Sequence, residues 1–162
     1  MKMNKQEKLE WYQEEFGRIS KDISEKNSLS YQDFLRIRNF KIQSSTIEKE
    51  EKVKKITNTA FKLAKEDKKK EAINELRKLY GVAIPIASTI LAMRYPNRYA
   101  IIDKRVLKAL GKEKWIRGNK YMREPQIYED YLILMKKKKP SNVTLRDYER
   151  NLYESQSRFK NL

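Results

Sequence analysis

Residues 79–111, LYGVAIPIASTILAMRYPNRYAIIDKRVLKALG, read unlike the rest of the chain. Gly81 is a helix stop. Pro85 stands where the first turn of a helix accepts it, since that turn leaves its N–H groups unbonded anyway. Ile86 to Met93 then forms an apolar helix, Tyr95-Pro96-Asn97 a loop, and a further helix starts at or just after Asp103. Upstream, Ala72, Ile73, Leu76 and Leu79 recur at helical spacing. Two helices therefore meet across a short glycine-containing turn, a helix-hairpin-helix arrangement. Such a turn aims several backbone N–H groups, and the positive end of a helix dipole, at one spot where a phosphate can sit. A glycine between two helices is common, so the turn alone leaves an ordinary cap and a phosphate site both open.

Outward from this stretch the helical pattern continues in both directions. Leu9, Tyr12, Phe16, Ile19 and Ile23 give one apolar stripe over about Lys5 to Ile23. Ser30 and Asp33 make a capping box ahead of Phe34, Ile37 and Phe40. A second box, Ser45 to Glu48, is expected to open a long helix with Val53, Ile56, Ala60, Leu63 and Ala64 inside. The charged run KEDKKKE near residue 67 reads as a solvated corner. After Gly111 the segment KEKWIRGNKYMRE is polar and irregular. One more helix carries Ile127, Tyr131, Leu134 and Met135, and KKKKP reads as an exposed corner. A last helix, opened by a Thr144 to Asp147 box, carries Leu145, Tyr148, Leu152 and Phe159. With only four Gly and four Pro in 162 residues, the expected class is all-α: a compact helical bundle in one domain, or two small subdomains sharing a core.

Composition narrows the chemistry. Lys and Arg number 38 against 22 Asp and Glu, a formal charge of +16. That excess attracts polyanions, of which nucleic acid is the usual one; a Lys-rich surface with no such partner is the plainer alternative. No segment suits a membrane, and MKMNKQEKLEW carries no signal-peptide core, so a cytoplasmic protein is expected. Cys and His are both absent from the sequence. Thiolate metal sites and histidine acid–base chemistry are thereby excluded, leaving carboxylates, Lys, Tyr and hydroxyls, with no metal and no cofactor expected.

Leu79-Tyr80-Gly81-Val82-Ala83-Ile84-Pro85-Ile86-Ala87 followed by Ile102-Asp103-Lys104-Arg105-Val106 resembles the helix-hairpin-helix base-excision DNA glycosylases, the superfamily of endonuclease III and the adenine glycosylases. Their hairpin runs Leu-Pro-Gly-Val-Gly-x-x-Thr-Ala, and an apolar residue precedes their Asp-x-x-Val. Asp103 lies 18 residues beyond Pro85, the spacing of the endonuclease III branch. The likeness covers roughly residues 76–110. It implies a DNA glycosylase fold, duplex DNA as partner, Asp103 as catalytic carboxylate, and DNA contacts from Gly81, Val82, Ala83, Ile84 and Pro85. Lys108 matches a basic position of the pattern, and Lys104 and Arg105 cluster beside it. Pro85 occupies the place of the Schiff-base lysine of bifunctional members, so no lyase step can run through that position. The second hairpin glycine is Ala83, and the cysteine cluster of the endonuclease III branch is missing.

The chemistry suits a lone carboxylate. Breaking an N-glycosidic bond builds positive charge on the deoxyribose, which a fixed carboxylate stabilises while orienting a water. Asp is also among the best N-caps, so capping and catalysis both account for Asp103. Tyr95, Tyr99, Trp115 and Tyr121 are candidates for stacking on a flipped base or wedging into the duplex, and equally for core. Arg36, Arg38 and Lys41 add charge on the second helix. Two functions follow: a monofunctional glycosylase removing a damaged or modified base, or a non-catalytic hairpin module that binds duplex DNA. A basic helical RNA-binding protein is a weaker third.

Overall fold

A computed structural model describes residues 2–42 and 48–156, among which there are ten helices and no strand. The all-α expectation holds. Helix α1, Lys5–Ile23, is capped by Asn4 in a full capping box with Glu7 and buries Phe16, Ile19 and Ile23. Helix α2, Tyr31–Lys41, starts at the Ser30–Asp33 box and buries Phe34, Ile37 and Phe40. Helix α3, Glu50–Lys65, buries Val53, Ile56, Ala60 and Ala64 as the spacing requires. The Ser45 half of its expected box lies outside the described residues; Lys49 is the N-cap and makes no side-chain cap bond.

Asp67, at φ 62°, turns the charged corner into helix α4, Lys69–Leu76. Helix α4 ends earlier than Gly81 suggests, and residues 77–83 make the turn to helix α5, Ile84–Arg94. Helix α5 buries ten of its eleven residues. A helix with apolar residues on every side has no solvent face to keep, so it sits at the centre, its Ser88, Thr89 and Arg94 bonded to backbone carbonyls. It packs against α1, α2, α4, α8 (Lys120–Arg123) and α9 (Pro125–Lys138). Helix α6, Lys104–Ala109, packs on α10, Leu145–Ser155. The segment expected to be irregular instead holds two short helices, α7 (Glu113–Arg117) and α8 (Lys120–Arg123). Thr144 caps α10, accepting from the Asp147 N–H at 3.1 Å; Phe159 lies outside the described residues.

The two ends of the chain meet. The Tyr12 and Tyr153 rings stack at 5.6 Å, and the Arg146 guanidinium lies 3.8 Å from the Phe16 ring centroid. One contiguous core runs from Phe16 to Leu145.

Gly81 is held by backbone and space together. Its φ is +70°, and a Cβ there would stand 2.5 Å from Nη2 of Arg38, a buried side chain that also donates to the Tyr80 carbonyl at 3.1 Å. Gly111 has nearly the same φ, +72°, with nothing within 4 Å. Gly111→Ala should therefore cost about 1–2 kcal/mol for the left-handed conformation alone. Gly81→Ala should cost clearly more, because Arg38 must also move. Thermal melting of the two variants side by side checks this, and equal losses would show that Arg38 does not brace the turn.

Candidate active site

The site is assembled on an extended segment, residues 99–103, that crosses the core. Buried backbone must find hydrogen-bond partners, and here side chains from three helices supply them. The Tyr128 and Tyr131 hydroxyls donate to the Ala100 and Ile101 carbonyls at 2.9 and 2.7 Å. The Ile101 N–H donates to Glu149 at 3.3 Å, and the Ile102 N–H to the Ser88 hydroxyl at 3.1 Å. Ser88 in turn donates to the Pro85 carbonyl at 2.7 Å. The first turn of α5 is thus tied directly to the residue before Asp103.

Asp103 is the N-cap of α6, its Oδ1 accepting from the Arg105 N–H at 2.7 Å. The capping role is therefore real. Its Oδ2 accepts from Lys41 Nζ, also at 2.7 Å, in an ion pair whose side chains are only 12% and 11% exposed. The Arg105 guanidinium stands 3.8 Å from Oδ1. Burial by itself would raise the Asp103 pKa; the Lys41 ammonium, its hydrogen bond and the Arg105 N–H outweigh that and hold the carboxyl below its ordinary value.

Beside Asp103 is a narrow cleft, lined among others by Tyr12, Lys41, Arg146, Glu149 and Tyr153. Its free space takes about one water molecule. Glu149 is fully enclosed, and burial pushes its carboxyl up despite Arg146, which donates to it at 2.5 Å, and despite Lys41. The two carboxyl groups lining one cleft are thereby shifted in opposite directions, Asp103 down and Glu149 up.

At the hairpin, Gly81 is exposed and Val82 and Ile84 are buried, so the latter two can offer a ligand only their backbone. Ala83 is the N-cap of α5 and supplies no side-chain cap, which leaves the helix's first N–H groups without a side-chain acceptor; Pro85, in the first turn, brings none of its own. Tyr80 is 68% exposed, yet its backbone is clamped: its N–H donates to Glu48 at 3.0 Å and its carbonyl accepts from Arg38.

Lys104 and Lys108 are exposed and make no ion pair among the described residues, and Arg105 lies 5.2 Å from the Tyr153 ring. Of the aromatic candidates, Tyr121 borders the site: after burial, the Asp103 charge is the main influence raising its hydroxyl pKa. Trp115 is half-buried, with the Lys112 ammonium 5.6 Å from its ring. Tyr99 is corrected to core. It is 1% exposed, stacks with Tyr128, donates to the Ala64 carbonyl at 2.6 Å, and burial pushes its pKa to about 12. Tyr95 is likewise half-buried and engaged, donating to the Phe61 carbonyl at 3.2 Å beneath the Arg94 guanidinium. Neither is presented to a base. Arg36 is committed to Glu15 and Asp22.

Lys41 and Glu149 were not distinguishable from sequence. Lys41 is one of many lysines, and Glu149 stands out only as an acid among Leu145, Tyr148 and Leu152 on the inner face of α10. Among the described residues no group of three or more acidic side chains could hold a metal ion, and no helix is long and apolar enough to cross a membrane. Compared with protein-family models, with curated proteins and with solved structures, the chain returns no match.

Proposed function

We propose that the protein is a monofunctional DNA glycosylase that hydrolyses the N-glycosidic bond of a damaged or modified base flipped from duplex DNA. The observation that carries the reading is Asp103: a buried carboxylate kept ionised at the start of α6 and linked through Ser88 to the first turn of the hairpin helix. A fixed negative charge of this kind is what an oxocarbenium-like deoxyribose requires. The hairpin and the +16 charge supply the attraction to phosphates. Lys41 keeps Asp103 ionised away from bulk water, and Glu149 lines the same cleft, held by Arg146 and the Ile101 N–H.

A second reading, a hairpin module that binds duplex DNA without chemistry, is favoured by a specific observation. Both Asp103 oxygens are already engaged, and the adjoining cleft admits no base as it stands. Catalysis then requires the cleft to widen when a nucleotide enters. Single-turnover incubation with duplexes carrying a panel of lesions and modified bases, scored after alkali cleavage, separates the readings. Base release from any of them supports the enzyme; none from the full panel, with duplex binding intact, leaves the binding module.

The expected reaction needs no divalent metal and forms no imine at Pro85. EDTA should leave the rate unchanged, and abasic product should persist until heat or alkali is applied. Borohydride trapping on an abasic duplex is the sharper test, because Lys41 is the amine beside Asp103. A covalent adduct that disappears in Lys41→Met would replace the monofunctional assignment by a glycosylase with lyase activity.

A further inference from the structure

Residues 112–123, KEKWIRGNKYMR, connect Gly111 to α9 along the surface of the bundle. Neither α7 nor α8 buries a single residue. Trp115, Ile116 and Tyr121 only rest against the edge of the core. The excursion lies on the bundle surface, α7 against α6 and α8 against α5 and α9, with Lys114, Arg117, Lys120 and Arg123 left outside. Its composition is one-sided: Lys112, Lys114, Arg117, Lys120 and Arg123 stand against one acid, Glu113.

Two further facts point to a ligand. Lys114 and Arg117, and again Lys120 and Arg123, are three residues apart within one helix, which puts like charges side by side, an unfavourable arrangement in the protein alone. All four are exposed, and among the described residues none is in an ion pair. Some surface cations have acidic neighbours, as Arg18 has Glu14 and Glu15 and Lys78 has Glu75, whereas within α7 and α8 the nearest charged neighbours three residues away are again cations. A phosphate backbone converts the repulsion within each pair into attraction, with counterions released. The excursion also adjoins the site, since α7 packs on α6, the helix that Asp103 caps, and the Asp103 charge reaches the Tyr121 hydroxyl of α8. An anionic membrane fits less well, because Met122 is the one large apolar side chain here exposed enough to insert.

We infer that α7 and α8 form a second polyanion-binding surface, separate from the hairpin, that grips the duplex backbone beside the nucleotide held at Asp103. The inference rests on the DNA reading above but not on catalysis.

The test compares two quadruple variants with the same loss of charge. One is Lys114→Gln, Arg117→Gln, Lys120→Gln, Arg123→Gln. The other removes Lys21, Lys55, Lys62 and Lys65, exposed lysines of α1 and α3 that are likewise unpaired among the described residues, each by the same change to Gln. Affinity for a 20-base-pair duplex of arbitrary sequence is measured across a salt series, with melting temperature as the folding control. The unaltered protein should give a log–log slope of about −4 to −5, and the α7–α8 variant should lose about two or more of it, at roughly 0.9 per phosphate contact. The α1/α3 variant should lose less than about one. Equal losses would overturn the inference and leave diffuse attraction by net charge. No duplex binding by the unaltered protein would overturn the DNA reading and this surface with it. An unchanged salt slope in the α7–α8 variant would likewise overturn the inference, whatever happens to base release.

Discussion

Asp103→Asn is expected to slow single-turnover base release at least about a hundredfold, on whichever substrate the lesion panel identifies. Loss of a charge facing a developing cation is worth on the order of 3 kcal/mol or more in the barrier. Asn retains an oxygen for the Arg105 N–H, so the cap can persist. Sequence reasoning alone would make this substitution silent for the fold, and the Lys41 contact changes that. With the oxygen on Arg105, the amide NH₂ faces the Lys41 ammonium, a donor against a donor; flipping the amide rescues that contact and loses the cap. Some loss of melting temperature is therefore expected in Asn, and a larger one in Ala, which has neither oxygen. Duplex affinity should hold or tighten slightly as a negative charge leaves. An Asn variant that is folded and fully active would sink the catalytic assignment and leave Asp103 as a cap and ion-pair partner.

Lys41→Met should produce the largest stability change. Breaking a buried pair from one side strands the other charge, typically at about 3–5 kcal/mol, or roughly 10 °C in melting temperature for a chain of this size. The dependence on pH has a definite sign. Asp103 titrates below its ordinary value in the intact fold, so its contribution is present above the unfolded carboxyl range, near 3.8, and is lost as pH falls through the lower folded value. Without Lys41, burial dominates and pushes Asp103 up. The penalty of the variant should then be greatest near neutral pH and shrink on acidification, as Asp103 takes a proton. Glu149 contributes oppositely in the intact protein: its stabilising protonated form is fully present below about 4.5, and its contribution is lost as pH rises through its raised folded value. Removing both partners, Lys41→Met with Asp103→Asn, should recover most of the lost stability. A single-variant cost below about 1 kcal/mol at pH 7 would mean that the pair is solvated, and the argument for a buried ionised Asp103 would fail.

The same pairing bears on the choice between enzyme and binding module. A structural ion pair and a catalytic carboxylate make the same static contact, but they differ in what Lys41→Met does beyond stability. For the enzyme, a raised Asp103 pKa should move the acid limb of the rate profile upward. For the binding module there is no such profile, and duplex affinity should follow the loss of one positive charge and no more.

Much of the helical framework was readable because it depends on relations three or four residues apart. The stripe from Leu9 to Ile23 marks α1 between the same ends as the structure, the Ser30–Asp33 box opens α2, and Asp103 opens α6. The apolar run around Ile86 to Met93 likewise required a buried helix. It begins two residues earlier than expected, at Ile84, because the turn after Gly81 closes sooner. Helices α7 and α8 gave no such signal, being too short for a periodic face.

The site depends on a different class of relation. Lys41 reaches Asp103 across 62 residues and Glu149 reaches the Ile101 N–H across 48, and neither pairing leaves a local trace in composition or spacing. Tyr95 and Tyr99 looked as available to a ligand as Tyr121 did, since an aromatic beside a loop carries no mark of the face it will occupy. The sequence by itself determined an all-helical, strongly basic chain with a tight turn at Gly81 and a capping aspartate, because hydrophobic period, capping chemistry and net charge are local or summed quantities. Only the tertiary structure decided that this aspartate is buried, ionised and paired, since burial and charge pairing are set by which distant elements the core brings together.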